Sequence, residues 1–135
     1  MTMTNPLAAA ATRCFACGPD NPVGLKIKFT LSGDGCTGSF TPGENHVGYA
    51  DTVHGGIIFA ALDDVMANAL YLKGIKAHTA RCEIRYRSAL TVGETINLRS
   101  TLISEKRRLV VLKGEARRAS DDSLVADCEA SFMRE

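Results

Sequence analysis

The sequence predicts one α+β domain in which an antiparallel sheet of about six strands wraps around a single long central helix. Two observations carry that class. Residues 55–73 are rich in Ala and Leu and almost free of charge. Within them Ile58, Leu62, Val65, Ala69 and Leu72 form a stripe at helical spacing, which a helix must bury. After His78 the period changes to two, and segments of strand length are separated by Val92-Gly93-Glu94, Ser104-Glu105-Lys106-Arg107 and Ser120-Asp121-Asp122-Ser123. A lone apolar helix followed by strands is best satisfied when the sheet covers it.

In chain order, residues 1–13 read as a frayed segment ahead of a single domain over 14–135. The run Ala8 to Ala11 has Arg13 behind it, whereas a secretory signal places positive charge in front, so a cytoplasmic location is expected. Leu25–Leu31 and Cys36–Phe40 flank Ser32-Gly33-Asp34-Gly35 and read as a hairpin. The helix comes next, ended by Gly74 at C′. In the first strand beyond it Cys82, Ile84 and Tyr86 alternate with Arg81, Glu83, Arg85 and Arg87. Ile96, Leu98 and Leu102 do the same against Asn97, Arg99 and Thr101 in the second. The third strand spans Leu109 to Arg118, and the fourth places Leu124, Ala126, Cys128, Ala130 and Phe132 on one side. A four-strand antiparallel meander is the economical arrangement.

Composition narrows the function. A chain of 135 residues, 45% hydrophobic and 23% charged, is long enough for one core and too short for two ordinary domains. Sixteen Lys and Arg against fifteen Asp and Glu leave a formal charge of +1, which gives no bulk footprint for nucleic acid. Apolar stretches such as Ile57 to Leu62 fall far short of the roughly 20 residues of a membrane span, so neither nucleic acid nor membrane is an expected partner. The five cysteines are odd in number and dispersed, unlike a secreted disulfide framework. Cys14 and Cys17 have the spacing of a zinc or redox pair, but there is no second Cys-x-x-Cys; they read as structural thiols, and no metal is expected. Cys36, Cys82 and Cys128 fall at strand positions and read as small core residues.

Chemistry concentrates between Val53 and Asp64. Gly55 and Gly56 open the helix, where backbone N–H groups lack intrahelical partners and sit at the positive end of the dipole. Such donors can hold an oxyanion; equally, the glycines can simply allow a tight lead-in to the helix. His54 fits either a cap or a functional role. Asp63 and Asp64 lie two turns in, beyond any capping position, Asp63 beside Phe59, Met66 and Leu70 and Asp64 beside Ile57, Asn68 and Tyr71. The pair reads either as a solvated face or as a general base, and the apolar flank favours Asp63 for the second role.

His54-Gly55-Gly56 followed by an acid nine positions after the His resembles the HGG motif of the hotdog-fold acyl-CoA thioesterases, in the PaaI-like phenylacetic-acid-pathway branch. The order of elements is similar too. Cys14-Phe15-Ala16-Cys17-Gly18, Asn21-Pro22-Val23-Gly24-Leu25 and Arg85-Tyr86-Arg87 resemble patterns of one group in that branch, and the likeness runs from about Cys14 to Met133. It implies hydrolysis of an acyl-CoA ester without a cofactor, CoA being part of the substrate. By this resemblance Asp63 activates water, Gly55 donates its N–H to the carbonyl, and Gly56 and His54 shape that place. Thr79 would hold the water from the partner subunit, in a homodimer or dimer of dimers. Where many relatives carry an Asn, six residues before the His, this chain has Gly48, leaving Asn45 and His46 as the nearest carbonyl donors. Arg81, Arg85, Arg87, Arg107 and Arg108 are candidates for the nucleotide phosphates, and Asp64 for a substrate contact. The alternative is a non-catalytic acyl-CoA or fatty-acyl binding protein on the same fold, in which Asp63 would be idle. A hydratase is a weaker rival, because its usual His and acid pairing is not found.

Overall fold

The computed structural model describes residues 11–135, so most of the expected frayed segment lies outside the described residues. In chain order the elements are β1 (Phe29–Ser32), β2 (Gly35–Phe40), β3 (Val47–Tyr49), β4 (Thr52–Val53), α1 (Gly55–Tyr71), β5 (Ala77–Tyr86), β6 (Ile96–Lys106), β7 (Leu109–Arg118) and β8 (Leu124–Arg134). Six strands form one antiparallel sheet in the order β1-β2-β6-β7-β8-β5, while β3 and β4 form a separate two-stranded ribbon. Among the described residues no helix is long and apolar enough to cross a membrane.

Helix α1 lies on the sheet through Ile58, Ala61, Leu62, Val65, Met66, Ala69 and Leu70, all buried, whereas Leu72 at the end of the expected stripe is only half-buried. Against them stand Leu98 of β6, Val110 and Leu112 of β7 and Phe132 of β8. Ser100 ties helix to sheet with a buried hydroxyl that donates to the Val65 carbonyl at 2.6 Å. Truncating Leu62, which is 1% exposed, to Ala would cost about 2–5 kcal/mol. The helix stops where Gly74, at φ +80°, donates its N–H to Tyr71 while Ile75 N–H reaches back to Leu70, the paired closure of a Schellman turn.

Three expectations change. The strand after the helix does not begin a meander: β5 pairs with β8 and takes the sheet edge, and only β6, β7 and β8 follow one another. The Val92-Gly93-Glu94 turn belongs to a connection over 87–95 that carries the chain across the sheet, too long for a tight hairpin. The hairpin strand expected from Leu25 starts only at Phe29. Lys26 at φ +56° breaks the extended run, and Leu25 and Ile27 donate instead to the carbonyls of Phe15 and Ala16. The β3–β4 ribbon has no counterpart in the sequence reading, since strands of three and two residues leave no period to detect.

Candidate active site

The lead-in to α1 is set by two histidine contacts. His54 is the N-cap; its Nδ1 accepts the Gly56 N–H at 2.8 Å. Because Nδ1 accepts, a neutral His54 ring carries its proton on Nε2. The His54 N–H in turn donates to the His46 carbonyl at 2.8 Å. The Ile57 and Ile58 N–H groups both reach the His54 carbonyl. That leaves the Gly55 N–H as the first-turn donor without a partner among the described residues, while the Gly56 N–H is already taken.

Tyr86 completes this corner, and sequence reasoning assigned it no role. Its hydroxyl donates to the Gly55 carbonyl at 2.7 Å, and a Cβ on Gly55 would sit 3.3 Å from its ring. Burial pushes the phenol above its usual range, so it stays protonated and donates. The cue was available in the Arg85-Tyr86-Arg87 triplet, an aromatic at the end of a strand whose neighbours are charged. A cavity of about 320 Å³ opens here, lined by Val53, Gly55, Ile58, Tyr86, Arg87 and Leu90.

Asp63 stands about 12 Å further along the helix axis. Its Oδ1 accepts a hydrogen bond from Thr79 Oγ1 at 2.7 Å, within one chain. This corrects the expectation that Thr79 serves the partner's carboxylate: β5 runs back antiparallel beside α1 and brings its first residues to the middle of its own helix. The Asp63–Thr79 pair and the Gly55 donor therefore occupy separate places in a single chain. Asp64 points elsewhere. It accepts from Asn68 Nδ2 at 3.0 Å and meets Cys14 Sγ at 3.8 Å; burial is the main cause that pushes its carboxyl above the usual range.

The remaining candidates scatter. His46 Nδ1 accepts the Gly43 N–H at 2.8 Å and its ring packs edge-on against Phe40, so its side chain is committed away from the helix start. Asn45 is exposed. Gly48 lies directly against His54, where a Cβ would come 3.2 Å from the His54 Cα, and it offers no side chain to the helix start. Arg87 grips Asp127 with Nε and Nη2 at 3.0 and 3.1 Å. Arg85 makes a loose pair with Glu83 at 3.8 Å, and Arg81 is exposed with no partner among the described residues. Arg107 and Arg108 turn between β6 and β7, level with His78 at the opposite end of β5 from Arg87, so the five arginines do not make one patch.

A six-stranded antiparallel sheet packed on one long helix is the arrangement of a hotdog fold. The chain belongs to the thioesterase superfamily, whose family model matches residues 50–125. Among solved structures it is similar to PaaI of the phenylacetic acid degradation operon of E. coli, with 19% identity over 96% of this chain and 95% of that one, at a TM-score of 0.82. The thioesterase superfamily protein RHA08564 shares 27% identity over 87% of this chain, at a TM-score of 0.80, and the match spans 61% of that protein's length. A hypothetical thioesterase from Streptococcus pneumoniae TIGR4, solved with coenzyme A, shares 14% identity over 81% of this chain and 85% of that one, at a TM-score of 0.75. No curated protein matches the sequence.

Proposed function

We propose that the protein hydrolyses an acyl-CoA thioester to the free acid and CoA, in a site to which two chains contribute. The observation that carries this reading is the Asp63–Thr79 hydrogen bond at 2.7 Å. Thr79 occupies Oδ1 and leaves the other carboxylate oxygen without a partner among the described residues, free to take a proton from water. Membership of the thioesterase superfamily supports the reaction class, and the coenzyme A in the S. pneumoniae relative supports the substrate class.

A thioester already has a good leaving group, so a placed water, a base and an oxyanion donor suffice, with no role for a metal. Water attacks the thioester carbon while Asp63 takes its proton, and the carbonyl electron pair moves onto oxygen beside the Gly55 N–H. Collapse breaks the carbon–sulfur bond, and the departing CoA thiolate regains a proton. Tyr86 fixes the Gly55 peptide, and His54 offers Nε2–H as a second donor where relatives carry the Asn. Arg87, just past the end of β5, borders the cavity beside Gly55 and, with Arg85 and Arg81 on β5, supplies positive charge for the nucleotide phosphates.

One carbonyl cannot meet both groups within a chain, because the donor and the base are about 12 Å apart along the helix. A two-fold dimer resolves this: two antiparallel α1 helices side by side bring Gly55 of each chain toward Asp63 of the other. The edge strand β5, ten residues long and largely exposed, suits such pairing. A panel of acyl-CoA esters from short-chain to aryl, assayed for released thiol, tests the reading. Turnover that disappears in Asp63→Asn is expected; tight binding of the panel without turnover would instead make this an acyl-CoA binding protein.

A further inference from the structure

One cluster lies outside the hydrolytic site and is unused by it. The Sγ atoms of Cys14 and Cys17 and a carboxylate oxygen of Asp64 all lie within 4.8 Å of one another. We propose that these three side chains form a binding site for one thiophilic divalent cation, Zn²⁺ being the best match, which clips the turn at residues 14–18 to the middle of α1. The proposal does not depend on the hydrolytic reading.

The geometry is close to that of a bound ion. In a tetrahedron with Zn–S near 2.3 Å and Zn–O near 2.1 Å, the sulfur–oxygen edge is about 3.6 Å. Cys14 Sγ stands 3.8 Å from Asp64 Oδ1 and 4.0 Å from Oδ2. The turn itself is built to aim both sulfurs the same way. Gly18 N–H donates to the Cys14 carbonyl at 2.8 Å, and a Cβ on Gly18 would lie 2.3 Å from the Cys14 nitrogen, so only glycine fits after the second cysteine. Leu25 and Ile27 dock onto the same turn through the carbonyls of Phe15 and Ala16, holding it against the domain.

Asp64 is placed to serve as a ligand. It sits mid-helix where no cap is needed, and no Lys, Arg or His lies within ion-pair distance among the described residues. Its hydrogen-bond neighbours are a thiol and the Asn68 amide. Asn68 is buried and donates to Oδ2 at 3.0 Å, an outer partner that orients the carboxylate and leaves Oδ1 toward Cys14. A cavity of about 260 Å³, lined by Ala67, Tyr71, Ile75 and Lys76 beside the three ligands, gives water access to a fourth coordination position. Two sulfurs and one oxygen favour Zn²⁺ over Mg²⁺ or Ca²⁺. Binding releases the thiol protons to solvent as each sulfur coordinates. The ion would stiffen the stretch of helix that also carries Asp63.

The test uses the full-length protein, freed of metal and titrated with Zn²⁺ by calorimetry and with Co²⁺ by absorbance. One equivalent of Zn²⁺ per chain and a thiolate-to-cobalt charge-transfer band are expected. Cys17→Ser should abolish the band, Asp64→Asn should weaken Zn²⁺ binding at least 10-fold, and Cys82→Ser should bind like the parent. Binding that Cys17→Ser leaves intact, or no band with the parent, overturns the proposal. Should a variant fail to fold, alkylation of the parent decides: Zn²⁺ should slow labelling of Cys14 and Cys17 but not of Cys82, and equal rates with and without Zn²⁺ contradict the site.

Discussion

Thr79 Oγ1 and Asp63 Oδ1 meet at 2.7 Å inside one chain, joining the edge strand β5 to the middle of α1. In the proposed two-chain site the pair would form a half-site that a single chain assembles by itself. In that proposal the other half is the Gly55 donor at the start of the helix, where Tyr86 and His54 hold the backbone.

Asp63→Asn is expected to keep the fold and lower kcat by about 10² or more, the scale for loss of a general base. Asp64→Asn should cost far less, because its carboxylate faces Asn68 and Cys14 rather than Thr79. Steady-state kinetics on the best acyl-CoA ester compare the two. The reverse ranking would put the base at Asp64.

Tyr86→Phe removes the hydrogen bond to the Gly55 carbonyl and should destabilise the protein by about 1 kcal/mol. Its signature in catalysis should be a kcat lowered about 3- to 10-fold at nearly constant KM, since the oxyanion donor loses its brace only where the transition state needs it. A lower melting temperature with unchanged kcat would reduce Tyr86 to a structural residue.

Acid stability has a named contributor. Hydrogen bonds from Arg87 hold the Asp127 carboxyl below the usual carboxylate range. A group lowered in the folded state stabilises at neutral pH, and the contribution is lost as pH falls below the ordinary value of about 3.9. Asp127→Asn should therefore melt below the parent at pH 7, with the gap closing under acid conditions. A gap that stays constant down to pH 3 would show that the pair carries no linkage.

Helix α1, the strand spans from Leu109 onward and the His-Gly-Gly start are legible in the sequence because each rests on local periodicity or spacing. Long-range placement is not. Nothing around residues 77–86 says that this strand skips its successor and pairs with β8, since the choice is made by the sheet as a whole. The same limit explains the site. Thr79 and Asp63 are close in sequence yet their in-chain contact depends on the path of β5, and Cys14 meets Asp64 across 50 residues. Lys26 could not be foreseen to break a strand-like run, because its left-handed backbone follows from docking on the Cys14–Gly18 turn rather than from its own preference.

The central claim, that donor and base come from different chains, is tested most directly by mixing two inactive variants. Asp63→Asn removes the base. Gly55→Pro removes the N–H at the first helical position, which suits proline, and His54 with φ −61° and ψ 131° already has the backbone a residue before proline requires. Subunit exchange should produce heterodimers with one intact site, restoring activity to about a quarter of the native value on statistical mixing. Asp63→Asn mixed with Thr79→Ala should restore nothing beyond the residual activity of Thr79→Ala, because both changes fall in the same half-site. If mass measurements show full exchange and the Asp63→Asn and Gly55→Pro mixture stays inactive, the two-chain site is wrong.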